Sequence, residues 1–264
     1  MRERARVGAM RIGRLAAVIC WIIIAQRAWA GPPFTTDDPE AVEYHHWEIY
    51  VASQLEHDKA GWSGTSPHFE VNYGALPNLQ LHLIAPVSFS AAAHGATNFG
   101  YGDTELGAKY RFFEETDQLP QMGVFPLVEI PSGSRERDLG SGHAQVFLPL
   151  WLQKNFGSWT TYGGGGYWIN PGKNNHDWWF TGWVLQHEIT PALTLGGEIF
   201  HETPSEKGGG SDTRLNFGGF YNFSDTYHLL FSAGHTIQGP SIFQGYLAFQ
   251  ITVGPQKQSE RARN

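Results

Sequence analysis

The sequence predicts an all-β chain, a transmembrane antiparallel up-and-down β-barrel of twelve strands. Three observations predict it. Apolar and polar residues alternate with period two in segment after segment, the mark of strands with two unlike faces. The connections alternate between short turns and longer polar loops, as in bacterial barrels. And an export signal precedes a Gly- and aromatic-rich remainder that has no cysteine.

Residues 1–30 read as a secretory signal peptide. Arg2, Arg4, Arg6, Arg11 and Arg14 form a basic start, Leu15 to Ala25 an apolar core, and Ala28-Trp29-Ala30 a small-x-small cleavage site. The apolar core is too short for an ordinary spanning helix. Cys20, the single cysteine of the chain, lies inside that core behind bulky Ile19, which argues against a lipoprotein. The expected mature chain, 31–264, therefore has no disulfide framework and no thiol chemistry. Of 18 basic and 25 acidic residues in the whole sequence, 12 and 24 remain after the leader, a formal charge of −12. Such an acidic chain is a poor partner for nucleic acid.

Residues 31–42 (G-P-P-F-T-T-D-D-P-E-A-V) are Pro- and Asp-rich and read as an extended lead-in, and 43–253 as the barrel. Strands are expected near 43–56, 66–74, 78–89, 101–112, 119–130, 142–154, 157–169, 176–189, 191–202, 211–222, 225–235 and 241–253. In the hairpin 67–89, Phe69, Val71 and Tyr73 alternate with His68, Glu70 and Asn72. Leu79, Leu81, Leu83, Ala85 and Val87 then alternate with Gln80, His82, Ile84, Pro86 and Ser88, with the reversal at Gly74 to Pro77. In 102–112, Thr104, Leu106, Ala108, Tyr110 and Phe112 oppose Asp103, Glu105, Gly107, Lys109 and Arg111. In 243–253, Leu247, Phe249, Ile251 and Val253 oppose Tyr246, Ala248, Gln250 and Thr252. Strands 157–169 and 176–189 are Gly/aromatic-rich, and their phase is ambiguous.

Short turns fall near 75–77, 113–118, 155–156, 190 and 223–224. Longer polar loops fall near 57–65, 90–100, 131–141, 170–175, 203–210 and 236–240. Even strand number puts both ends of the barrel at the short-turn, periplasmic rim. A soluble β-sandwich also alternates, but twelve strands would demand a very large dry core. Closure in lipid instead removes every unpaired edge. Trp47, Trp151, Trp159, Trp168, Trp178 and Tyr227 lie at strand ends, as interfacial girdles do.

The polar faces give the lumen and selectivity candidates: Glu48, Glu70, His82, Asp103, Glu105, Lys109, Arg111, Glu129, Glu198, Glu202 and Arg214. Glu105, Lys109 and Arg111 share one face of one strand, and Glu129 on the adjoining strand is within reach of them. Such a group either fills the lumen as an ion-paired network or lines a water path that sorts solutes by charge. Phe125, Leu127, Tyr167, Phe200 and Phe220 are candidates for an inward apolar surface. Pro86, Pro126 and Pro149 interrupt ladder bonding, and a gap between the strands of Pro126 and Pro149 is one consequence, a bulge the blander one.

No catalytic residue is assigned. Ser141 and His143, in L-G-S-G-H-A-Q (139–145), are the only tempting pair for nucleophilic chemistry, and Ser and Gly are ordinary in such a loop. No metal site is assigned, because His45 and His46 point to opposite faces and no Cys/His spacing fits a closed zinc site. No cofactor is expected, since Gly163–Gly166 and Gly208–Gly210 lack the Lys-Ser/Thr of a phosphate loop. Asp37-Asp38 and Arg135-Glu136-Arg137-Asp138 read as solvated charge.

Five blocks carry a resemblance: T-D-D-P-E (36–40), V-N-Y-G-A-L-P-N-L-Q-L-H-L-I-A-P (71–86), Y-G-D-T-E-L-G-A-K-Y-R-F (101–112), G-V-F-P-L-V-E-I-P-S-G (123–133) and G-G-G-G-Y-W-I-N-P-G (163–172). Together they resemble the family named for the meta-pathway of phenol degradation, bacterial outer-membrane β-barrels regarded as transporters. The similarity covers nearly all of 33–253. It implies a location in the bacterial outer membrane and passive passage of small molecules, hydrophobic or aromatic ones among them. It supplies no catalytic motif. The polar tail 254–264 departs from the rule that such chains end on an aromatic residue of the last strand. The partners expected are membrane lipid and lipopolysaccharide, the outer-membrane assembly machinery and a small-molecule solute, for a monomer. The alternatives are a structural or adhesive barrel with a plugged lumen and, less favoured, a membrane-embedded lipid hydrolase.

Overall fold

The computed structural model describes residues 33–255. The expected signal peptide at 1–30 and most of the tail at 254–264 lie outside the described residues. The strands are β1 (Trp47–Asp58), β2 (Gly61–Leu76), β3 (Leu79–Ala92), β4 (Thr97–Tyr101), β5 (Thr104–Phe113), β6 (Gln121–Val124), β7 (Leu127–Ile130), β8 (Gln145–Phe156), β9 (Trp159–Ile169), β10 (Trp178–Thr190), β11 (Leu193–Glu202), β12 (Asp212–Asn222), β13 (Tyr227–Gln238) and β14 (Phe243–Val253). A short 3-10 turn, Arg135–Arg137, lies in the loop before β8.

These segments make a closed antiparallel barrel of twelve strands. β4 and β5 both pair with β3 and are two pieces of one span. β6 and β7 both pair with β5 on one side and β8 on the other, and form a second divided span. The ring closes between β1 and β14, from Trp47 opposite Val253 to His57 opposite Phe243. Closure pairs both edges of the ring, as lipid requires, except within the divided spans, where β4 pairs with β3 alone and the ladder is broken between β6 and β7.

Period two places the faces as expected. In β2 and β3, Phe69, Leu81 and Leu83 are exposed, whereas His68, Glu70, Asn72, Gln80 and His82 are buried. In β14, Leu247, Phe249 and Val253 face out, and Ala248, Gln250 and Thr252 face in. An outer belt of Leu, Ile, Val and Phe runs around the barrel, far more apolar surface than a soluble monomer exposes, and this is the lipid face.

The connections correct several expectations. Residues 57–65 and 90–100 are largely strand, not loop. β1 and β2 run on to a tight turn at Lys59-Ala60, and β3 and β4 meet at 93–96. The β2–β3 reversal, expected over Gly74 to Pro77, falls at Pro77-Asn78, with Asn78 in the left-handed region (φ 64°) and Gly74 still within β2. Gly74 instead lies against the approach to β1, where a Cβ would overlap the Glu43 carbonyl oxygen.

The ladder breaks where proline predicted trouble. Val124 pairs with Leu150 and Leu127 with Phe147, so Phe125 and Pro126 have no ladder partner on β8 opposite Leu148-Pro149. On the other side Ala108 N–H donates to the Pro126 carbonyl (3.2 Å). Pro149 itself keeps its place opposite Gly166 in β9, and Pro86 accepts from Gly102 N–H (3.0 Å) between β4 and β5.

Candidate functional site

The lead-in is the first surprise inside the barrel. Residues 33–42 run through the lumen as a strap, with Phe34, Thr36, Asp38, Pro39 and Val42 buried, and the chain then reaches β1 past exposed Tyr44 and His45. Polar side chains from around the ring hold it. Glu198 of β11 accepts the backbone N–H groups of Thr35 (3.3 Å) and Thr36 (2.5 Å), and Asn216 of β12 braces the same carboxylate. Lys109 of β5 reaches Asp37 at 2.8 Å. Arg111 lies 3.7 Å from Glu40, Gln80 accepts from Val42 N–H (3.1 Å), and Ser232 of β13 donates to the Pro33 carbonyl (2.5 Å). Phe34 packs on Tyr162 and Val184. The wall makes room: a Cβ at Gly182 would overlap Thr36 Oγ1.

This alters the charge network the sequence suggested. Lys109 and Arg111 are engaged by the strap's Asp37 and Glu40, while Glu129 accepts from Gln145 Nε2 (3.0 Å). Glu105 and Glu129 are direct cross-strand neighbours, and Glu105 is held by His82 Nε2 at 2.8 Å. His82 Nδ1 lies 2.6 Å from Asn72 Oδ1, Asn72 donates to Glu70 (2.7 Å), and Tyr50 donates to Glu48 (2.7 Å). A second cluster gathers on Arg214, which meets Glu56 (2.6 Å), Asp212 (2.8 Å), Glu202 (3.5 Å) and Gln244 (2.8 Å) and lies over the Phe200 ring.

Asp103 serves a loop. At the junction of β4 and β5 it accepts from Gly133 N–H (2.9 Å), Ser141 N–H (2.6 Å) and the Ser141 hydroxyl (2.7 Å), pinning the connection 131–144. The Ser141 hydroxyl is therefore turned to a carboxylate, and His143 Nδ1 meets the Ser141 carbonyl at 2.9 Å, not the hydroxyl. His143 Nε2 lies 2.7 Å from Asn170 Oδ1. The arrangement is a loop anchor. Among the described residues no cluster of three or more His, Cys, Asp or Glu is set to hold a metal.

The second surprise is aromatic. Trp151, Trp168 and Trp178, expected in an interfacial girdle, point inward. Trp151 is 1% exposed, and all three belong to a cluster with Phe125, Leu127, Phe147, Phe180 and Phe200. Phe147, Trp168 and Trp178 are cross-strand partners on β8, β9 and β10 and stack in sequence, with centroids 4.7 and 5.4 Å apart and planes 12° and 9° off parallel. The glycine at 166 admits the Phe147 ring, which a Cβ there would overlap. Tyr167, expected inside, is on the outer face against exposed Trp179 (4.8 Å). Trp47, Trp159 and Tyr227 do face outward. Phe220 also points inward, in a separate cluster with Tyr50 and Leu230.

Between strap and wall lies a cavity of about 390 Å³. One side is polar and acidic, from β1 to β7, with Glu48, Glu70, Glu105 and Glu129. The other is the aromatic wall of β8 to β10. The two meet at Phe125, whose ring is edge-on to His82 (5.2 Å) and under the Lys109 ammonium (5.0 Å).

A family profile described as "Putative MetA-pathway of phenol degradation" matches residues 55–251. The chain belongs to this phenol-degradation family. No curated protein sequence matches it. Its barrel is similar to the COG4313 outer membrane channel from Pseudomonas putida F1, at 16% identity over 85% of this chain and 100% of that one, with a TM-score of 0.67. It is also similar to the KdgM porin (9% identity, 77% of this chain and 98% of that one, TM-score 0.55). The translocator domain of the autotransporter NalP from Neisseria meningitidis is a third (8% identity, 80% and 90%, TM-score 0.54). At these identities the likeness is one of fold: this member of the phenol-degradation family has an outer-membrane-type barrel.

Proposed function

We propose that this protein is an outer-membrane channel that lets small molecules cross by passive diffusion, with the strap setting the bore. One observation carries the reading: a closed barrel with a lipid-facing apolar belt encloses an internal cavity of about 390 Å³, lined by polar side chains on one side and stacked rings on the other. A barrel serving only as a membrane anchor has no need of such a chamber. The aromatic wall favours solutes with an apolar ring or chain, which is in keeping with the family's description and with the channel and porin names of its structural neighbours. Closure of the ring within one chain supports a monomer. Lipid and lipopolysaccharide at the outer belt and the outer-membrane assembly machinery are the accompanying partners.

The test is single-channel recording of the refolded mature chain in a planar bilayer, beside permeation of aromatic solutes into vesicles. Conductance steps, or solute uptake above empty vesicles, are the expected result. A folded barrel silent in both assays overturns the reading and favours a plugged structural barrel, which the many bonds to the strap would suit.

A further inference from the structure

The cavity has a marked imbalance of charge. Eight carboxyl side chains line it; Glu40 and Glu202 are met from outside the lining by Arg111 (3.7 Å) and Arg214 (3.5 Å), and Lys109 is the one ammonium or guanidinium among the lining residues themselves. That ammonium is already committed to Asp37 at 2.8 Å. Among the described residues Glu48, Glu70 and Glu129 have no Lys or Arg within ion-pair distance; their hydrogen bonds come from neutral Tyr50, Asn72 and Gln145, and Glu70 has in addition the His82 ring at 3.6 Å. Glu105 and Glu129 sit directly opposite each other on β5 and β7, a like-charge pairing that costs stability unless something positive comes between. His82 serves Glu105 alone of the two.

A second observation is independent of the acids. His68 and Trp151 line the same cavity, are 4% and 1% exposed, and each has a buried ring nitrogen, Nε2 and Nε1, with no hydrogen-bond partner among the described residues. Of eleven buried side-chain polar atoms in this condition among the described residues, these two and Tyr246 Oη belong to residues that line the cavity, where a solute atom is one way to satisfy them. A third is the stack of Phe147, Trp168 and Trp178, which lie face to face on one another and line the chamber as a continuous apolar wall opposite the acidic side chains. The carboxylates attract positive charge and repel an anion, and the ring wall takes up an apolar body.

We infer that the solute this cavity selects is an organic cation, an amine carrying an aromatic or aliphatic body. Its ammonium sits at the carboxylates of Glu70, Glu105 and Glu129, and its apolar part lies along the Phe147–Trp168–Trp178 rings. A hydroxyl or ether oxygen on the body would meet Trp151 Nε1. A bare metal ion would leave the rings unused, and no metal-holding cluster is present among the described residues. The inference rests on the channel reading and narrows it, from small aromatic solutes in general to positively charged ones.

The test compares three probes of one shape and three charges on the folded mature protein: 2-phenylethylammonium, 2-phenylethanol and phenylacetate. Binding is followed by calorimetry and by tryptophan fluorescence, with conductance recorded on the same preparation. The ammonium is expected to bind best, with phenylacetate weakest. Glu129→Gln is expected to weaken the ammonium at least about five-fold and leave the alcohol unchanged. Trp168→Leu is expected to weaken both. The heat-modified gel shift of each variant establishes that it is folded, and Glu105→Gln serves in place of Glu129→Gln if that variant is not. Equal or tighter binding of the alcohol or the acid, no binding of any probe, or indifference of the ammonium to the Glu→Gln changes overturns the inference. If the same barrel conducts, the channel reading survives that result; if it neither conducts nor admits solute, both fall.

Discussion

The Lys109 ammonium lies 2.8 Å from the Asp37 carboxylate, across 72 positions of sequence, and is 3.9 Å from Asp38. A strand residue in the middle of the barrel wall is thus bonded to a segment that precedes the barrel. Lys109 is itself buried, so its charge has no aqueous substitute for that partner. Removing one member of a buried pair leaves the other uncompensated. Lys109→Met is expected to destabilise the folded barrel by about 3 kcal/mol, read in urea unfolding. It is also expected to loosen the strap and raise single-channel conductance.

Glu198 holds the strap by its backbone. With the Thr35 and Thr36 N–H groups both donating to it, Glu198→Ala strands a buried donor at Thr36. The expected cost is about 1–3 kcal/mol. Limited proteolysis should then cut within 33–42 faster than in the parent protein, with the barrel itself still protected.

Gly182 tests the strap from the opposite direction. Any side chain there overlaps Thr36 Oγ1, while the backbone of β10 is ordinary strand paired on both sides. Gly182→Val is expected to leave the barrel closed, judged by circular dichroism and gel shift, and to push the strap off its seat. Conductance above that of the parent is the expected reading, and unchanged conductance would show that the strap does not limit flow.

Lipid quenching checks which tryptophans face outward. Trp179 and Trp183 are 59% and 47% exposed on the outer face, while Trp151 is 1% exposed within the lumen. Brominated lipids are expected to quench the fluorescence of variants holding only Trp179 or Trp183. A variant holding only Trp151 or Trp168 should be quenched far less. Equal quenching of both sets would put the aromatic wall on the wrong side of the barrel.

The alternation in Leu79 to Val87 and in Phe243 to Val253 was legible because each strand has one neighbour of a single kind, lipid, on its outer face. That regularity carried the strand number, the faces and most of the luminal acids, such as Glu70 and Glu105. It failed where both faces accept the same residue type. Trp151, Trp168 and Trp178 suit an interface as well as a lumen, and the glycines between them supply no polar marker of phase. Tyr167 was misplaced inward for the same reason. The strap escaped notice because its partners lie on strands far along the chain: no local pattern says that Asp37 will meet Lys109 or that Thr36 will meet Glu198. Asp103 kept the parity of its strand but sits where two strand pieces join, and there its carboxylate is taken by Gly133 and Ser141.

The seam between β1 and β14 has a kinetic consequence. Every other pairing joins spans that follow one another in the chain, but Trp47 meets Val253 only after all of the intervening sequence is in place. The largest loop-closure entropy of the fold is therefore concentrated in one event. Until it happens, two strand edges face a solvent that offers them no hydrogen bonds. A chain cut short before β14 cannot settle into a smaller ring without rebuilding the register at β1 and β13, where β14 now pairs. The barrel should thus assemble and unfold as one cooperative unit, with no stable partial form.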